Sequence, residues 1–178
     1  MKKETNIKPV LVGVIDGKTT QKKVLSSKKV INDIKMLKGA RIASAGSDEY
    51  TGNLLKQMLG KENEKLVDSF QLLVVPKDID ALISVGFGLA DAALTTENSL
   101  DMLSSINPRL KGKLATVASS KEILLPIVAI HEGLTPDIVK LLVALKNMPD
   151  SEDGNRGMQI LGLDGWKKLD EHDEELLK

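Results

Sequence analysis

The sequence predicts an α/β fold in which a mostly parallel sheet is flanked by helices. Short runs of β-branched and other apolar residues alternate along the chain with longer segments whose apolar residues recur at helical spacing. Glycine, proline and aspartate mark the boundaries between them. Such alternation is typical of parallel strands covered on both faces. With 178 residues, 42% of them hydrophobic, the chain is long enough to bury a core.

The predicted strands are six short apolar segments bounded by turn residues. The first, KPVLVGVI, is rich in β-branched residues and ends at the turn signal Asp16-Gly17. The third, FQLLVV, is closed by Pro76, which cannot donate a hydrogen bond to a sheet. We expect strands over residues 8–15, 41–45, 70–75, 90–94, 114–118 and 123–130.

The predicted helices begin at polar capping residues or end at glycine. Thr135 followed by Pro136 is a strong start, because threonine caps a helix and proline suits its first position. Gly39 and Gly60 fit as helix ends. We expect helices over residues 24–37, 50–59, 78–85 and 151–161. Another helix follows residues 95–98 and ends at about residue 105, and one runs from 135 to about 145. We also expect a frayed helix in the acidic tail after Trp166.

Composition excludes several classes of protein. Without cysteine the chain has no disulfide framework, zinc ribbon, iron–sulfur cluster or thiol nucleophile. The two histidines, His131 and His172, lack the spacing of a metal site or a serine–histidine dyad, and no phosphate-binding loop motif is present. No apolar run is long enough to span a membrane. We therefore expect no metal, no cofactor and no catalytic residue.

Charge is unevenly distributed, although the net charge is zero. Residues 1–41 carry eleven basic against three acidic side chains, a net charge of +8, and residues 147–178 carry −5. A basic segment can attract phosphate backbones or anionic lipid, or it can be a solvated face that packs on the acidic remainder. The second interpretation is favoured, since neither an arginine cluster nor an aromatic ring accompanies the lysines. We expect no nucleic-acid partner.

Two loops that follow predicted strands are candidate binding segments, residues 44–52 and 95–98. Ligands of α/β folds sit beyond the carboxyl ends of strands, next to helix N-termini. The alternative is that these residues only start helices, with Ser47 or Asp48 capping the first and Thr96 the second. The candidate ligand-binding residues are Ser44, Ser47, Asp48, Glu49, Tyr50, Thr51, Thr95, Thr96 and Glu97.

The order of several segments resembles a known family. LKGARIA over residues 37–43 is similar to the segment that opens the second lobe of type II periplasmic solute-binding proteins, most closely the phosphate/phosphonate substrate-binding components of ABC transporters. In that family a loop rich in serine and threonine follows and ends in glycine and a leucine pair, as Gly52, Leu54 and Leu55 do here. Further similar segments follow in the same order at residues 79–82, 90–94, 107–111, 126–128, 153–156 and 161–166.

The resemblance implies a non-enzymatic, periplasmic or extracytoplasmic protein that serves an ABC transporter permease. It also implies two α/β lobes that hold an oxyanion between them with helix N-termini and hydroxyls. We expect a reduced first lobe, with residues 1–36 as its remnant and crossover strand, 37–122 as the second-lobe core, and 123–178 as the returning crossover strand and C-terminal helices. We also expect that a signal peptide, absent from this chain, has been removed.

The loop over residues 44–52 departs from the family in its charge. Asp48 and Glu49 would repel a free phosphonate, so a zwitterionic or cationic small polar ligand, or none, is expected. Ser47 and Thr51 would donate hydroxyls to it, and Glu97 would orient a donor group. One alternative is a degenerate lobe that acts as a protein-interaction or sensory module, in which a homodimer could replace the missing lobe. Another is a hydrolase or transferase that uses Asp48 or Glu49.

Overall fold

The computed structural model describes residues 7–31, 33–131 and 135–177. The chain divides into two compact units, a larger one formed by residues 22–122 and a smaller one formed by residues 1–21 and 123–178. The expected segment 1–36 is thus shared between the two units, and its assignment as the remnant of a first lobe stays a prediction.

The described strands and helices alternate through most of the chain. The strands are Ile7–Val14 (β1), Thr20–Gln21 (β2), Lys23–Lys28 (β3), Arg41–Ser44 (β4), Gln71–Val74 (β5), Ala92–Thr96 (β6), Leu114–Ser119 (β7), Ile123–Leu124 (β8), Ile127–His131 (β9) and Gly165–Lys167 (β10). The α-helices are Asp48–Leu59 (α1), Glu64–Val67 (α2), Asp78–Gly86 (α3), Glu97–Ile106 (α4), Pro108–Lys111 (α5), Pro136–Lys146 (α6), Glu152–Leu161 (α7) and Glu171–Glu175 (α8). Short 3-10 helices occupy Ile34–Leu37, Lys61–Asn63 and Met148–Asp150.

The larger unit is built on a five-stranded sheet in the order β5-β4-β6-β3-β7. Strand β4 is parallel to β5 and β6, whereas β3 is antiparallel to β6 and β7. The α/β class with helices flanking a central sheet is confirmed. The sheet is mixed rather than mostly parallel, because only β4, β5 and β6 are joined through the helical crossovers that parallel strands require.

Both faces of this sheet are buried under helices. On one face Leu82 and Val85 of α3 and Leu103 of α4 pack against Ala43 and Ala93 of the sheet. The opposite face, which includes Ile42 and Leu94, is covered by α1 and the 3-10 helix that ends at Leu37. Neighbouring strand residues therefore point to opposite faces, as the period of two requires.

The helix expected over residues 24–37 is wrong at its start. Residues 23–28 form β3, and only Ile34–Leu37 is helical, as a 3-10 turn. Val24 packs in one core cluster and Leu25 in the other, on opposite faces of the sheet. Only an extended strand can bury adjacent side chains in this way, so pairing with β6 and β7 determines the conformation.

The smaller unit contains a three-stranded antiparallel sheet in the order β10-β1-β9 and the pair β2-β8. Its core includes Val12, Leu125, Met158 and Leu163. The single strand expected over residues 123–130 is divided into β8 and β9 around Pro126, which has no N–H to donate. The predicted starts of the last two long helices are confirmed, since Thr135 caps α6 and Ser151 caps α7.

The C-terminal tail forms an anchored helix instead of the frayed one expected. In α8 the carboxylates of Asp170 and Asp173 each accept the backbone N–H of the other, which is a reciprocal cap. Asp173 is fully buried and also accepts a 2.6 Å hydrogen bond from the Thr19 hydroxyl. These contacts join α8 to the segment that leads into β2.

Candidate functional site

Three helix N-termini lie at one edge of the sheet in the larger unit. Strands β4, β5 and β6 run in the same direction. They are followed by α1, α3 and α4 respectively, and each helix begins within four residues of the end of its strand. Helix N-termini carry unpaired N–H groups and partial positive charge. We call this region the carboxyl edge, and it has the geometry of a site for a polar or anionic group.

The predicted loop over residues 44–52 is held to the end of β4 by its own hydroxyls. The Ser44 hydroxyl oxygen accepts from the Gly46 N–H at 3.2 Å and from the Thr51 hydroxyl at 3.1 Å. Both Ser44 and Thr51 are buried. Their polar groups are therefore occupied within the loop, and they shape it rather than face solvent.

The exposed part of this loop is the cap and first turn of α1. The Ser47 hydroxyl accepts from the Tyr50 N–H at 3.3 Å, so the expected capping role is present. Asp48 and Glu49 follow in the first turn and are exposed, and the Tyr50 side chain is 46% exposed. A capping serine still has a hydroxyl hydrogen to donate, which leaves Ser47 chemically able to contact a ligand.

The second predicted loop is the end of β6 and the start of α4. Thr95 is fully buried and its hydroxyl donates to the Thr96 carbonyl at 3.3 Å. Thr96 caps α4, accepting from the Ser99 N–H at 3.0 Å and donating to the Ser99 hydroxyl at 2.7 Å. Glu97 is exposed in the first turn. The strand expected over 90–94 is observed two residues later, at Ala92–Thr96.

Asp78 is a residue of this edge that the sequence did not reveal, because its position indicates only the start of the helix expected over residues 78–85. It is the first residue of α3, and its Oδ2 accepts from the Thr96 N–H at 2.6 Å and from the Ser99 hydroxyl at 3.4 Å. The same oxygen lies 3.6 Å from Lys23 Nζ, and both side chains are largely buried. One carboxylate therefore connects the starts of α3, α4 and β3, a contact that no local motif reveals.

Tyr50 brings α1 into the same electrostatic environment. Burial raises the pKa of the Tyr50 phenol, and the negative charge of Asp78 raises it further. Both effects disfavour the phenolate, so Tyr50 is a neutral hydroxyl at physiological pH. It can donate or accept a hydrogen bond at the carboxyl edge.

Two kinds of site are not found within the described parts of the chain. Among these residues no three His, Asp or Glu side chains are grouped so as to hold a metal ion. None of the described helices combines the length and the apolar character needed to cross a membrane.

An α/β unit with helix N-termini gathered at the carboxyl edge of its sheet is the architecture of a ligand-binding protein. The comparisons specify which kind. The chain belongs to the ABC transporter phosphonate periplasmic substrate-binding protein family, whose profile matches residues 1–174. That family is the substrate-binding component of a transporter and is periplasmic. No curated protein matches the chain significantly.

Solved structures show the same fold at low sequence identity. XAC2383 from Xanthomonas citri, bound to chloride ion, has a TM-score of 0.69 at 16% identity, over 96% of this chain and 67% of that one. A binding protein component of an ABC phosphonate transporter from Pseudomonas aeruginosa has a TM-score of 0.64 at 16% identity, over 97% and 60%. PhnD1 from Prochlorococcus marinus, in complex with methylphosphonate, has a TM-score of 0.54 at 15% identity, over 95% and 70%. This chain therefore spans between 60% and 70% of the length of these three relatives.

Proposed function

We propose that this chain is the solute-binding component of an ABC transporter and binds a small polar ligand at the carboxyl edge of its larger unit. The observation that carries the proposal is the gathering of the α1, α3 and α4 N-termini at that edge. Family membership supports it, because the family binds substrate for transport. The proposed partner is the permease of that transporter, and the proposed location is the periplasm.

In this proposal the exposed hydroxyls and carboxylates have different roles in ligand binding. Ser47 and Tyr50 donate hydrogen bonds from the start of α1, and Glu97 faces the ligand from the start of α4. The Thr96 hydroxyl, which is already bonded to Ser99, holds that helix start in place. The buried hydroxyls of Ser44, Thr51 and Thr95 position these groups, since each is already hydrogen-bonded within the protein. Asp48 and Glu49 border the site from the first turn of α1.

The charges of the site favour a zwitterionic ligand. Three exposed carboxylates, Asp48, Glu49 and Glu97, stand next to N-termini that attract an anion. A simple oxyanion would be repelled by these carboxylates, whereas a ligand that also carries an ammonium group can pair with them. An aminoalkylphosphonate has both groups. Asp78 adds little repulsion because Lys23 is 3.6 Å away.

The test is a thermal-shift screen followed by calorimetry. A ligand that binds only the folded state raises the melting temperature in proportion to its affinity. We expect 2-aminoethylphosphonate to raise it more than methylphosphonate, phosphate or sulfate do. Tyr50→Phe and Glu97→Gln should each weaken binding roughly tenfold, whereas Glu64→Gln, an exposed charge removal on α2, should not.

A second candidate function is a protein-interaction module that has lost its small-molecule site. It is favoured by the internal bonding of Ser44, Thr51 and Thr95, which leaves three of the nine predicted hydroxyl and carboxyl residues without access to a ligand. A screen with no shift, on protein that unfolds cooperatively, would reject the solute-binding proposal in favour of this candidate.

A further inference from the structure

A cavity of about 840 Å³ opens at the end of the larger unit opposite the carboxyl edge. It lies where β3 ends and β7 begins, beside the C-terminal end of α3. Its apolar lining includes Ile83, Val85, Leu110 and Leu114, of which Val85 is fully buried. This volume lies within the range of roughly 300–1,000 Å³ that is typical of small-molecule sites.

The polar lining of this cavity is almost entirely cationic. Lys28, Lys29, Arg109 and Lys113 line it, and no acidic residue does. Among the residues that the structure describes, none of these four cations is in an ion pair. Lys29 is held beside Lys113 through a 3.0 Å backbone hydrogen bond. Four like charges are therefore kept together around an apolar surface without compensation.

Two large apolar side chains in the same lining are left in solvent. Val30 is 77% exposed and Phe87 is 79% exposed. Their exposure costs free energy that a bound apolar group would recover. Lys28 and Lys29 belong to the basic N-terminal segment, and the fold brings them to Arg109 and Lys113, which are distant in sequence.

We propose that this cavity binds one molecule of an anionic amphiphile, with a phosphate or carboxylate headgroup and an apolar body. The body would cover the lining from Val85 to Leu114 and contact Phe87, and the headgroup would meet the four cations. This ligand class differs from that of the carboxyl edge, where the exposed groups are hydroxyls and carboxylates. The inference therefore does not depend on the proposed transport function.

The probe is octyl phosphate, titrated into the intact chain by calorimetry below its micelle concentration. Two half-ligands accompany it: 1-octanol, which has the chain without the charge, and inorganic phosphate, which has the charge without the chain. We expect one molecule of octyl phosphate per chain, bound at least roughly tenfold more tightly than either half-ligand. Equal binding of 1-octanol, or no binding of octyl phosphate, would overturn the proposal.

Charge variants locate the binding. The double variant Lys29→Gln with Arg109→Gln should weaken the binding of octyl phosphate roughly tenfold. The control, Lys61→Gln with Lys65→Gln, removes the same charge from exposed positions elsewhere in the larger unit and should leave the affinity unchanged. Val30→Asp, at an exposed position, should weaken binding without unfolding the chain. An equal effect of both double variants would contradict a specific cavity.

Two further arms separate this cavity from other sources of binding. Excess 2-aminoethylphosphonate, the ligand expected at the carboxyl edge, should not displace octyl phosphate, and displacement would place the probe at the carboxyl edge instead. The second arm tests whether the chain sediments with phosphatidylglycerol vesicles. If it does so but does not bind octyl phosphate, the cations bind a membrane surface, and the proposal that the cavity binds a single molecule is overturned.

Discussion

At the scale of single residues, Ser26 is a buried polar group in an unfavourable position. It lies in β3, is fully buried, and its hydroxyl has no hydrogen-bond partner among the described residues. A buried unpaired hydroxyl costs on the order of 1–3 kcal/mol. We expect Ser26→Ala to raise the free energy of unfolding by about 1 kcal/mol, measured by urea denaturation.

The neighbouring Ser27 provides a matched control. It is equally buried, but its hydroxyl donates to the Lys28 carbonyl at 3.3 Å. Ser27→Ala should therefore bring no comparable gain, because it removes a hydroxyl that is already hydrogen-bonded rather than an unpaired one. If both substitutions stabilise the protein equally, the unpaired hydroxyl is not the cause.

Tyr50 reports the electrostatics of the carboxyl edge directly, because it is the only tyrosine in the chain. Burial is the main reason that its pKa is raised, and Asp78 is the second. Asp78→Asn should lower the pKa of Tyr50, though not to its ordinary value, since burial persists. Phenolate absorbance during an alkaline titration measures this, with Asp101→Asn as a control at an exposed carboxylate.

The raised pKa of Tyr50 also determines how this residue affects stability as the pH changes. The folded state holds the proton more tightly than the unfolded state does, so the stabilising contribution is complete below the unfolded pKa. It is lost as the pH rises through the folded pKa. Tyr50→Phe should remove this part of the alkaline loss of stability, and an unchanged pH profile would show that Tyr50 does not contribute.

At the scale of elements, α8 depends on one buried carboxylate. Asp173 accepts from the Thr19 hydroxyl at 2.6 Å and from the Asp170 N–H at 3.1 Å. Asparagine has only one acceptor oxygen, so Asp173→Asn must leave one of these donors unpaired. We expect a loss of about 1–3 kcal/mol in the free energy of unfolding, against no measurable loss for the exposed Glu174→Gln.

Local signals made much of the helix pattern predictable, and long-range contacts account for the rest. The starts of α1, α4 and α6 were predictable because Ser47, Thr96 and Thr135 cap their own helices. Strand β3 was not, since its conformation depends on pairing with β6 and β7, which lie far along the chain.

The same distinction applies to the candidate site. The two loops were predictable from the rule that ligands of α/β folds lie beyond strand ends. Which of their hydroxyls are buried was not, because the bond between Ser44 and Thr51 follows from the path of the loop. Asp78 meets Lys23 and Thr96 only after the sheet has formed, so no spacing in the sequence could indicate that contact.

At the scale of the whole molecule, the larger unit has what an independent domain needs. Residues 22–122 contain a complete five-stranded sheet with a buried cluster on each face. A segment of about 100 residues with its own core is of ordinary domain size. The smaller unit, by contrast, is formed from two separate segments of the chain, 1–21 and 123–178.

We therefore expect a polypeptide of residues 22–122 to fold without the rest of the chain. Its urea unfolding should be cooperative, and the pKa of Tyr50 should stay raised, because Asp78, Lys23 and the α1 cap all lie within it. Leu82→Asp, at a fully buried position, should abolish the transition, whereas Met102→Asp, at a position 54% exposed, should preserve it. The opposite result would be a gradual urea transition together with an ordinary pKa for Tyr50. Cooperativity and the geometry of the carboxyl edge would then be lost together, which would show that the sheet needs the smaller unit to form.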